Sequence, residues 1–216
     1  MMDADWSVEC GAEDPTIAVP WSNADGSLAF VHLRATPEGL EKIPEARQHA
    51  ALAEALRAWN QPSGPILTAK CDVWSYPAAL FDAEDDARFA FAQACYVDLL
   101  PTADTEFSSF AQMEQIARQW CAAARALPCE QARFEWVVRR AWRCAALDFP
   151  LADTEAAEWR DGFATTLYVW GYGSKEELAA AAWARALRRL IPLLCTERTA
   201  YTSAYNGSMA RPTMGE

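Results

Sequence analysis

The chain has 216 residues, 52% of them apolar, and carries 30 acidic against 19 basic side chains, a net charge of −11. That is apolar material for one globular unit with a real core, while the acidic field repels polyanions and argues against nucleic acid as a partner. Seven cysteines without a CxxC argue against a disulfide framework or zinc knuckle, and only two histidines, His32 and His49, argue against a His-rich metal centre.

The first 33 residues hold six acids and no Lys or Arg. This is the opposite of a secretory leader or a mitochondrial presequence, and the expectation is a cytoplasmic protein. Short strands are expected in "DWSVEC", "TIAVPW" and "LAFVHLR", separated by turn signals at Asp14-Pro15 and Asn23–Gly26. Thr36-Pro37 reads as a helix start and Pro44 as a break or restart. Leu52, Ala55, Leu56 and Trp59 then form one helical stripe. "NQPSGP" (Asn60–Pro65) stops it and marks the best internal boundary.

From Ile66 one pattern occurs twice. The strand "ILTAKCDVWSY" leads through an acidic loop (Asp82, Glu84, Asp85, Asp86) to the strand "RFAFAQACYVDLL". A helix follows, with Phe110, Met113, Ala117, Trp120, Ala124 and Leu127 on one face. The second round runs "RFEWVVRRAWRC", a longer acidic loop, "GFATTLYVWGYG", and a helix striped by Trp183, Leu187, Leu190 and Leu194. Ser109…Gln112 and Ser174…Glu177 fit capping boxes. The most apolar helix is interrupted by Arg185, Arg188 and Arg189, which argues against a membrane span.

The expected fold is α+β: an antiparallel sheet with helices on one face, a ββα-ββα repeat with a permuted ferredoxin-like arrangement. Residues 66–195 would form this core. Residues 1–65 would pack on it as N-terminal strands and helices, and 196–216 would be a flexible tail, giving one globular unit overall.

Strand alternation sorts the chemistry. Lys70, Asp72, Trp74 and Tyr76 share a face, while Cys71 points away into the core, so "AKCDVWSY" is not a nucleophile with its helpers. Arg140 and Trp142 share a face with Phe134, Trp136 and Val138, and Tyr168 and Trp170 share one with Ala164 and Thr166. Ten tryptophans make a concave aromatic surface plausible in composition, and placed charges on such a surface are what small-molecule pockets look like. The candidate ligand-binding residues are Lys70, Asp72, Trp74, Arg140, Trp142, Tyr168 and Trp170. A cationic or aromatic small molecule is the ligand to expect, through cation–π and stacking contacts. "GYGSK" is a weak anion site through Gly173 and Lys175. No metal-ligand set, cofactor motif, GxSxG or HExxH is present.

"AKCDVW", "YVDLL" and "TLYVWGYG", in this order within residues 66–175, resemble motifs of a group of small uncharacterised bacterial proteins, a domain of unknown function. The resemblance implies no activity and no site residue. The expected arrangement is also similar to bacterial ligand-binding modules built from strand-helix-strand-strand repeats, some of which take up cationic aromatic compounds. The primary reading is therefore a non-enzymatic small-molecule-binding or interaction domain. The alternatives are an enzyme using Asp72 or Lys70 for general acid–base chemistry in the same cavity, and a structural or oligomerising protein that meets a second copy or another protein.

Overall fold

The computed structural model describes residues 3–77, 89–144 and 158–196. Its strands are β1 (Asp3–Glu9), β2 (Ile17–Val19), β3 (Ile66–Pro77), β4 (Phe91–Pro101), β5 (Ala132–Cys144) and β6 (Trp159–Gly173). Its helices are α1 (Pro44–Gln48), α2 (Ala50–Trp59), α3 (Asp104–Phe107), α4 (Phe110–Arg125) and α5 (Glu176–Cys195). The fold is α+β. One six-stranded sheet runs β1-β5-β6-β4-β3, with β2 also on β5. The β3–β6 strands pair antiparallel, as expected, but β1 and β2 add parallel to β5, so the sheet is mixed. The acidic loop Phe81–Asp86 and most of the second acidic loop lie outside the described residues, as does the tail beyond 196.

The long elements follow their patterns, except at the ends of the α4 stripe, where Phe110 is exposed and Leu127 lies past the last helical turn, half-buried. Leu52, Ala55, Leu56 and Trp59 of α2, Met113, Ala117, Trp120 and Ala124 of α4, and Trp183, Leu187, Leu190 and Leu194 of α5 are all buried. They lie against Cys95, Val97, Leu99, Phe134, Trp136 and Val138 of the sheet, forming the main core. Ser109 caps α4 by accepting the Gln112 N–H, as its spacing predicts. At α5 the box is not used: Lys175 is the cap residue and makes no side-chain bond. Gly171 and Gly173 lie directly beneath α5, where a Cβ would meet backbone of Trp183 and of Ala179. Their lack of a side chain lets the helix sit down on β6.

"LAFVHLR" is not a strand. Apart from one bridge between Ser22 and Ala29, its backbone bonds are local, such as Thr36 N–H to His32 O at 2.9 Å. Alternation alone makes no strand without a neighbour to pair with, and this segment must bend. It carries the chain round the β3 edge, where Arg34 donates to the carbonyls of Gly64 and Ile66 at 2.7 and 2.9 Å. Beyond it come a short 3-10 helix at Pro37–Lys42, then α1, and then α2 beside α5.

The sheet curls. In a flat sheet β2 and β3, at opposite edges, would stand about 19 Å apart, four strand spacings. Yet Trp21, only two residues past β2, donates its Nε1–H to Ala69 O of β3 at 2.9 Å, and two residues of chain reach at most ~7 Å. Ile17 and Val19 accordingly share a second apolar cluster with Leu67, Ala69, Leu100 and Ala164. This cluster closes one end of the face that α2, α4 and α5 do not cover.

Gly171→Ala should destabilise the protein by about 1–3 kcal/mol through overpacking. Chemical denaturation should show it, with Gly26→Ala as a comparison at a site where a Cβ meets nothing but the backbone has φ +70°.

Candidate functional site

The uncovered face of the sheet carries its own pattern. Side chains of alternate residues on β3, β4, β6, β5 and β1 come together there. Tyr96 and Tyr168 stand opposite each other on β4 and β6, flanked by Asp72 on β3 and Glu135 on β5. Trp74, Tyr96, Tyr168 and Trp170 form a continuous ring-to-ring series at 6.3, 6.1 and 5.6 Å. The Arg133 guanidinium lies 5.3 Å above Trp170. Next to this aromatic series, under the β2 strap, is a cavity of about 360 Å³. Its wall includes Ile17 and Trp21 from the strap, Lys70, Tyr96, Asp98, Arg139, Thr166 and Tyr168 from the sheet.

A bulge in β3 builds one wall. Thr68 pairs with Leu99 and Cys71 with Val97, so both Ala69 and Lys70 stand opposite Asp98. The extra residue brings Ala69 onto the face of Lys70, where sequence alternation had put it with Cys71. Lys70 Nζ lies 5.2 Å from the centre of the Trp21 ring. Cys71 faces the core, and burial pushes its thiol far above the ordinary range.

Asp98 is the centre of the site. It is 8% exposed. Thr166 Oγ1–H donates to its Oδ1 at 2.7 Å, and Thr166 Oγ1 in turn accepts from Arg139 Nε at 3.1 Å. Arg139, 7% exposed, also reaches Tyr168 Oη with Nη2 at 3.4 Å. Its Nη1 is 2.6 Å from Glu9 Oε2 but off the axis of a hydrogen bond, so that contact is an ion pair. Burial pushes the Asp98 carboxyl up to about 6, against the opposing pull of the Thr166 bond and the charges of Arg139 and Lys70. Its second oxygen accepts no bond from any described residue. Tyr96 is pushed up by burial too, with Asp98 and Asp72 adding to it.

Lys70, Asp72, Trp74, Tyr168 and Trp170 therefore share one face, and Lys70 and Tyr168 line the cavity itself. Arg140 and Trp142 do not join them. They lie on the opposite face of β5, in register with Val138, and both are exposed, Trp142 at 48%. The residue on the cavity side is Arg139. Gly173 and Lys175 are apart from the cavity. Lys175 O already takes the N–H groups of Leu178 and Ala179, and Glu176 and Glu177 put negative charge on that turn.

Sequence reasoning missed Asp98, Arg139, Thr166, Tyr96 and Trp21. Asp98 had a signal: a lone acid in the apolar run "CYVDLL", which burial makes costly unless it is used or satisfied. Among the described residues no group of three or more His, Cys, Asp or Glu is placed to hold a metal, and no helix is long and apolar enough to cross a membrane. Cys10, Cys71, Cys95, Cys121, Cys129 and Cys195 are free thiols. No protein-family model, curated protein or solved structure matches the chain.

The raised carboxyl gives a stability test. Above pH ~6 Asp98 is charged in both states, and only the folded state bears the desolvation. As pH falls through 6 the folded state takes up the proton first, and the penalty is relieved down to 3.8, where the unfolded chain also protonates. Asp98→Asn should thus be more stable than the wild type at pH 7.5 by up to about 3 kcal/mol, and the gap should shrink by pH 4.5. Urea denaturation of both proteins at both pH values reads the difference.

Proposed function

We propose that this chain is a small-molecule-binding domain whose ligand sits in the cavity between the β2 strap and the uncovered sheet face. The observation that carries this reading is Asp98: a carboxyl held out of water at a cavity wall, with one oxygen bonded to Thr166 and the other open. Buried polar atoms are nearly always paired, so the open oxygen is the atom that a donor on a ligand would fill. The volume lies at the lower end of the range for ligand sites, which suits a metabolite. Tyr96, Tyr168 and Trp21 supply flat apolar area, while Lys70 and Asp98 supply orientation.

The strand order β5-β6-β4-β3 is the order a ferredoxin-like sheet has when entered at its second strand, which supports the permuted reading. The likeness of "AKCDVW", "YVDLL" and "TLYVWGYG" to small bacterial proteins goes with it, as does an expected place in the cytoplasm. One observation favours an enzyme instead. A carboxyl at about 6 is suited to general acid–base work near neutral pH. Asp98 then takes the part that the sequence reading gave to Asp72 or Lys70. An oligomerising role would use the other side of β5 and β6, where Trp142 and Trp159 are exposed.

A metabolite library screened by thermal shift, with hits titrated by calorimetry, tests the proposal. Tyr168→Ala should weaken a true ligand about tenfold or more, whereas Trp142→Ala on the opposite face should leave its affinity unchanged. The ligand should be recovered unaltered after long incubation; conversion to a product would establish the enzyme reading. Equal affinity of wild type and Tyr168→Ala would remove the site.

A further inference from the structure

Lys70 and Asp98 are neighbours on adjacent strands, of opposite charge, and line the same cavity. They do not pair with each other. Lys70 makes no ion pair with any described residue; its ammonium leans instead over the Trp21 ring on the strap. Asp98 keeps one oxygen without a donor. A positive end and a negative end therefore stand side by side with a gap between them.

The rest of the cavity is balanced. Arg139 brings a positive charge, but Glu9 takes it up at 2.6 Å. A ligand with net positive charge would meet Lys70 and Arg139, and one with net negative charge would meet Asp98 and Glu9. Two opposite charges held close together, with no net charge, meet neither objection. Beyond the charged pair, Tyr96 and Tyr168 offer ring faces to an apolar or aromatic side chain.

Resting on the binding reading above, we propose that the ligand is a small zwitterion of the α-amino-acid class, its ammonium on Asp98, its carboxylate on Lys70, and its side chain against Tyr96 and Tyr168. The ammonium fills the open Asp98 oxygen with a charge-assisted bond. The carboxylate draws Lys70 from Trp21 into the cavity. Asp98 must be ionised to hold the ammonium, so affinity should fall as pH drops through about 6, the value for the free protein. The other charged or titratable groups facing Asp98 are Lys70, Arg139 with Glu9 behind it, Asp72, Tyr96 and Tyr168.

Calorimetry with the twenty free L-α-amino acids, then with the N-acetyl form and the methyl ester of the best binder, decides the matter. One or more amino acids should bind, and each blocked form should bind about ten- to hundred-fold more weakly. Asp98→Asn should weaken the free amino acid by a similar factor but not the N-acetyl form, which has no ammonium to lose and is freed from a like charge. Lys70→Met should weaken the free amino acid but not the ester, which has no carboxylate to lose and is freed from a like charge. Thermal melts confirm that both variants fold. An ester that binds as tightly as the amino acid would show a cation site and overturn the proposal, and an equally tight N-acetyl form would show an anion site and do the same. If no amino acid binds while another compound from the metabolite screen does, the zwitterion is wrong and the pocket stands. If nothing in either set binds, the pocket reading itself falls.

Discussion

The burial of aromatic and aliphatic side chains between one sheet face and α2, α4 and α5 is what the rest of the chain is arranged around. Trp59, Phe134, Trp136 and Leu167 are all inaccessible there, and each such side chain contributes roughly 1.5–3 kcal/mol on leaving water. Three helices on one face leave none of comparable size, among the described residues, for the other. The short strand β2 and the segment after it take that role in part, fixing one end of the open face through Ile17, Val19 and Trp21. Curling of the sheet lets so short a strap reach both edges. The cavity is what remains between the strap and the sheet.

The polar groups around Asp98 are organised by one path. Glu9 on β1 holds Arg139 on β5, Arg139 donates to Thr166 on β6, and Thr166 donates to Asp98 on β4. The path crosses four strands, so the position of the Asp98 carboxyl depends on the register of the whole sheet, including the parallel addition of β1. Thr166 both accepts and donates, which sets the direction of its hydroxyl proton toward Asp98. The network satisfies one oxygen of the acid and leaves the other to the cavity. Arg139 is held by Glu9, Thr166 and Tyr168 and meets Asp98 only through the Thr166 hydroxyl. An acid so placed is under desolvation strain, and a ligand that brings a donor relieves it.

Much of the fold was legible from the sequence. Strands of 11–15 residues and helices of 16 and 20 residues carry enough repeats of their period to be read. Other features depended on contacts that no local pattern encodes. The edge chosen by β1 and its parallel direction come from packing of Ala4 under α4, where Arg125 and Cys121 bond its carbonyl. A one-residue bulge moved Ala69 to the face of Lys70. The neighbouring arginines of β5 show how the site was half read. Alternation separates Arg139 from Arg140, but which face the helices cover decides which arginine meets the cavity. The bulkier row of Phe134, Trp136 and Val138 was the better guide to the covered face. Trp21 comes from an irregular segment and had no sequence signal at all.

The central claim is that Asp98 is a buried acid at the wall of a ligand cavity. Its direct measurement is the pH titration of the Asp98 carboxyl carbon by NMR, assigned by comparison with Asp98→Asn. A midpoint near 6, shifted downward when a ligand bearing an ammonium group is added, is the predicted result. A midpoint near 3.8, the ordinary value, unmoved by any ligand, would mean that the carboxyl is freely hydrated, and would contradict both the buried acid and the cavity built around it.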